Sequence, residues 1–118
     1  MIARRTLLAT PLLATPLRAA PPPARIVVAG GGVAEILVAL GLREALVGAD
    51  STSQFPASLR ALPQVGYLRN LSAEGVLSLR PDLLVLAHEA GPPPVVAQLR
   101  AAGLRMVQAP RAQSAGEV

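Results

Sequence analysis

The sequence has no cysteine, no tryptophan and no lysine, and only one tyrosine, one phenylalanine and one histidine. Without cysteine there are no disulfides, no thiolate metal sites and no cysteine nucleophile. A single histidine cannot anchor a metal alone, and no Ser-His-Asp spacing can be built around it. Charged residues are scarce too, at 15% against 52% hydrophobic. That balance is too apolar for a disordered chain and sufficient for a core. Three of the eleven arginines, Arg4, Arg5 and Arg18, lie in the first twenty residues with no acid among them, and the other eight face seven acids. No later arginine run is interleaved with aromatics, so the basic balance does not argue for nucleic acid.

At 118 residues the chain has room for one domain at most. Residues 1–20, MIARRTLLATPLLATPLRAA, have a short basic start, an apolar stretch from Leu7 to Leu17 and small residues after it. This is the layout of an export signal. The apolar run is too short to span a bilayer and is broken by Pro11 and Pro16. Arg4-Arg5 followed by Thr6-Leu7-Leu8 faintly resembles a twin-arginine signal. Residues 21–24, PPPA, read as a stiff spacer, and 25–118 as the fold. No later apolar run reaches spanning length.

From Arg25 the pattern alternates. RIVVAG is a β-branched run of the kind buried on both faces of a sheet. VAEILVALGL predicts a helix with Ile36, Leu37 and Leu40 inward and Gly41 as its stop. EALVGAD predicts a second strand, and STSQFPASLRALP a loop with one helical turn. QVGY is a short extended piece. Ser72 caps a helix AEGVLSL that ends at Arg80-Pro81, DLLVLAH is a strand, GPPPVVAQLRAAG a helix opened by prolines, and LRMVQAP a final strand. RAQSAGEV reads as the start of a further helix, and the stop at Val118 as a fragment's end. The expected fold class is α/β, a mostly parallel open sheet with flanking helices.

Open parallel sheets take ligands beyond the carboxyl ends of their strands. Four groups fall there. They are Gly30-Gly31-Gly32, Asp50-Ser51-Thr52, Tyr67-Leu68-Arg69 and His88-Glu89. GGGVAE begins like a dinucleotide fingerprint, but Glu35 stands where the third glycine belongs, and a carboxylate there repels a pyrophosphate. A tight strand-to-helix turn, close to a ligand or a neighbouring loop, is the better reading. Asp50 reads as a turn cap or a polar ligand contact. His88 reads as a solvated loop residue. Asp82 and Glu89 bracket a strand of about 20 Å, too far apart for joint acid–base work. Tyr67 and Arg69 are two apart in an extended piece, which would turn a phenol and a guanidinium to one side. A phenolate is an axial ligand type for ferric haem, and Arg suits its carboxylates. The plain alternative is a tyrosine at a sheet edge with the arginine in water.

RIVVAGGGVAEILVALGL, LVGADSTSQFP and above all LPQVGYLRNLSAEGVLSLRPDLLVLA resemble the haemin-binding periplasmic proteins of bacterial haem ABC importers. LRPDLLVLA alone would indicate only the wider group that also binds siderophores and cobalamin. The resemblance runs from about Arg25 to Pro110. It implies one α/β lobe of a two-lobed protein, with the second lobe and the joining helix missing. It implies a periplasmic binding protein with no enzymatic activity, which delivers haem to an ABC permease. Tyr67 then matches the haem-iron ligand and Arg69 a position near the propionates. Gly30, Gly31 and Gly32 let a loop approach the porphyrin, and Glu74 matches an acidic residue that docks on the permease. A siderophore or cobalamin carrier, a non-binding truncated remnant and a nucleotide-dependent enzyme fragment are the alternatives.

Overall fold

Strand β1, Ile26–Ala29, is buried along its whole length, as its β-branched run predicts. It lies at the centre of a computed structural model that describes residues 21–111. Around it come α1 (Gly31–Ala39), β2 (Leu46–Ala49), β3 (Gly66–Tyr67), β4 (Asn70–Leu71), α2 (Ala73–Ser78), β5 (Leu83–Leu86), α3 (Pro93–Ala101) and β6 (Met106–Gln108). The main sheet has four strands in the order β2-β1-β5-β6, all parallel. The segment Ala57–Ala61 forms the single helical turn expected in the long loop. The signal-like residues 1–20 and the start of a further helix expected after Arg111 lie outside the described residues.

The alternation of side chains along β1 and β5 makes two cores. Val27, Ala29, Leu84 and Leu86 face Val76 of α2 and Val96 and Leu99 of α3. Ile26, Val28 and Val85 face Ala34 and Leu37 of α1 and Leu59. Three layers result, with both faces of the parallel sheet covered. Fully buried residues such as Ile26, Leu84 and Leu99 each contribute about 1.5–3 kcal/mol, so these layers and not the loops carry the fold.

The helix ends are closed by the residues expected there. Ser72 accepts a bond from Gly75 N–H at 2.9 Å, and Pro93 opens α3. At the end of α1, Gly41 N–H bonds Val38 O and Leu42 N–H bonds Leu37 O. Gly103 and Leu104 repeat this pattern at the end of α3.

Two expectations are corrected. Helix α1 starts at Gly31, two residues earlier than predicted, and its inward face is Ala34 and Leu37. Ile36 and Leu40 are 59% and 68% exposed. The helix is apolar nearly all round, so periodicity could not tell its inner face from its outer one. The small Ala34 sits inside because β1 passes close beneath it. The second correction concerns QVGY. Apart from a single bridge between Gln64 and Ala49, it does not extend the main sheet. Gly66–Tyr67 instead pairs antiparallel with Asn70–Leu71 in a separate small hairpin.

Candidate functional site

The strand order reverses direction between β1 and β5, because the chain leaves β1 toward β2 and returns to the other side as β5. In such sheets the crevice beyond the carboxyl ends at this point is where ligands sit. A cavity of about 450 Å³ lies there, between Gly30–Gly32 on one side and Ala87, His88 and Glu89 on the other. Its size is within the range of small-molecule sites. Leu68, Ile36 and Val33 give it an apolar wall.

The glycine turn is shaped by its neighbouring loops. Gly30 has φ +124°, and a Cβ there would meet Ala87 Cβ at 2.6 Å. A Cβ on Gly31 would lie 2.5 Å from the Thr52 carbonyl oxygen. Gly32 alone faces open space. The missing Cβ at Gly30 and Gly31 therefore lets two loops close against the turn, Gly32 has open space, and all three line the cavity.

Beneath the turn, Asp50 is completely buried. Its carboxylate accepts bonds from Gly30 N–H at 2.9 Å, Thr52 N–H at 3.2 Å, Thr52 Oγ1 at 2.8 Å and Ser53 Oγ at 2.8 Å. Thr52 Oγ1 in turn accepts from Gly31 N–H at 2.9 Å. Of the two readings of Asp50, the geometry selects the cap. The carboxylate has its partners and is closed to solvent. Asp50 and Thr52 Oγ1 together also occupy the Gly30 and Gly31 amides at the start of α1, a second reason, beside Glu35, against a nucleotide here.

Tyr67 and Arg69 stand on the small hairpin. Its fold depends on Gly66, whose φ is +103° and where a Cβ would lie 2.9 Å from Asn70 O. Main-chain bonds fasten the hairpin on both sides. Ser51 N–H donates to Gly66 O, Gly91 N–H to Leu68 O and Leu71 N–H to Gly91 O, each at 2.9 Å. Leu68, between the two polar residues, is buried in the core and also reaches the cavity wall. Tyr67 is 48% exposed, and Arg69 is exposed. The phenol thus lies at the same rim as the glycine turn and outside the packed interior. Leu68 and Arg69 form the turn of the hairpin, so strand alternation does not turn Arg69 to the side of Tyr67.

Glu74 lies in the first turn of α2, exposed, where the helix dipole favours an acid. His88 and Glu89 are exposed and border the cavity. Asp82 is at the opposite end of β5 from Glu89, as expected. Sequence reasoning missed Ile36 and Leu68 as cavity residues. Each reads as a core leucine or isoleucine, and no local signal marks one as reaching a crevice.

The family model for periplasmic binding proteins matches residues 26–106. Among solved structures, a periplasmic haem-binding protein from Pseudomonas aeruginosa is 56% identical, with a TM-score of 0.71, over 73% of this chain and 31% of that one. An uncharacterized ABC transporter substrate-binding lipoprotein, YvrC of Bacillus subtilis (strain 168), is 38% identical over 71% of this chain and 27% of its own length. A vitamin B12-binding protein of Vibrio cholerae is 34% identical over 87% of this chain and 38% of its own. The chain spans about a third of the length of each of these relatives.

Proposed function

The chain belongs to the periplasmic binding protein family, and from that premise we propose that it serves as a ligand-capturing part of an ABC importer, acting in the periplasm and handing haem to a permease. The observation that carries this is the placement of Tyr67, half-exposed on a fastened hairpin at the same sheet rim as the switch-point cavity, whose wall its neighbour Leu68 lines. A phenolate oxygen is a hard anionic donor that suits ferric iron. Arg69 is assigned to a propionate, as its fork geometry suits a carboxylate. Gly32 gives a porphyrin edge access, while Gly30 and Gly31 hold the loop on which it sits. Glu74, exposed at the start of α2, is assigned to the permease contact. Binding and release are the whole activity, and no bond of the ligand is made or broken.

Haem is preferred over a corrinoid because the haem-binding relative is 56% identical and the vitamin B12-binding one 34%. The second reading, cobalamin in the same cavity, is favoured only by the wider span of that second match. Titration of the 118-residue chain with haemin, followed by visible absorption, tests the proposal. The expected result is a high-spin ferric spectrum that is lost in Tyr67→Phe, with weakened affinity. Identical spectra and affinities for the two chains would remove Tyr67 from the iron. Saturable binding of cyanocobalamin with none of haemin would replace the first reading by the second.

A further inference from the structure

His88 borders the cavity at the switch point. The same residue borders a second cavity of about 290 Å³, set between α3 and the end of β6. Its other walls are Pro93, Val96 and Ala97 of α3, with Arg100 and Gln108 as the polar groups beside His88. The Gln108 carboxamide nitrogen is already committed, donating to Ala87 O at 3.3 Å and to His88 O at 3.0 Å. It fixes the backbone that carries His88 and leaves the imidazole and the guanidinium as the groups able to meet a ligand. The two cavities differ in charge. Glu89 borders the first, while the second has Arg100 and no acid.

A space with an apolar wall, one guanidinium and one imidazole suits a carboxylate on a short alkyl arm. From this, and resting on the haem reading above, we infer that the second cavity is a subsite for a carboxylate arm of the ligand whose apolar body lies across the first. His88 and Arg100 determine specificity here. They favour a tetrapyrrole with free carboxylates over one whose arms are esterified or amidated. This carboxylate is distinct from the one assigned to Arg69, which stands on the hairpin.

The test compares haemin with haemin dimethyl ester as probes of the 118-residue chain and of His88→Gln, Arg100→Gln and Arg100→Lys. Arg105→Gln, at an exposed arginine just before β6, is the control. The unaltered chain should prefer haemin to its ester. Arg100→Gln and His88→Gln should each weaken haemin roughly threefold to tenfold, the size of an exposed charge-assisted contact, and leave the ester unchanged. Arg100→Lys should keep part of the preference, and the control all of it. Equal effects on haemin and ester, or none, would overturn the subsite and leave the haem reading intact. Binding of neither probe by the unaltered chain would overturn both.

Discussion

The two ends of the parallel sheet use polar groups in different ways. At the amino end, Asp82 accepts from Ala24 N–H at 3.0 Å and from Arg25 N–H at 3.1 Å. The Arg25 guanidinium donates to Leu79 O at 2.7 Å and to Arg80 O at 3.2 Å. These bonds tie the entry of the chain to the end of α2 and to the start of β5, and hold Arg80 at its φ of +50°. At the carboxyl end the polar groups form two tiers. Asp50, with Thr52 and Ser53, is the inner tier, hydrogen-bonded within the loop. Tyr67 and Arg69 on the hairpin, with His88 and Glu89 at the cavity, are the outer tier, all exposed. At the carboxyl end, groups bonded within the fold and groups open to solvent are thus separate residues.

Removing the inner tier should have the largest effect. Asp50→Ala leaves four donors without their acceptor, two of them backbone amides, and should cost about 2–4 kcal/mol in urea unfolding. Gly31→Ala drives a methyl group against the Thr52 carbonyl and should cost about 1–3 kcal/mol, read by the same measurement. At the amino end, Asp82→Ala loses two exposed bonds and should cost about 1 kcal/mol, with haemin affinity unchanged. The smallest effect on stability belongs to Tyr67→Phe, within about 0.5 kcal/mol, although it should abolish the ferric tyrosinate spectrum. A loss of stability at Tyr67 as large as that at Asp50 would erase the division between tiers.

The sheet was legible because its strands are buried on both faces and read as unbroken apolar runs, Ile26–Ala29 and Leu83–Leu86 above all. The caps were legible because Ser72, Pro93, Gly41 and Gly103 act on residues a few places away. The role of Asp50 was only half visible. It bonds its own loop, which Asx chemistry predicts, but also Gly30 twenty residues earlier, which no local pattern encodes. The face of α1 was misread because Ile36 and Leu40 are as apolar as the residues that do face inward. The hairpin was missed because strands of two residues are too short to show a period. Its consequence was a correct rim for Tyr67 with a wrong argument for the direction of Arg69.

The hairpin that displays the phenol is fastened by main-chain bonds and by two leucines, Leu68 and Leu71, and none of these depends on the side chains at positions 67 and 69. A single codon change at either place would swap the displayed donor while the scaffold stayed whole. On the reading proposed above, such a mounting lets cargo preference drift faster than architecture, a physical reason for one shape to recur among relatives named for haem and for vitamin B12.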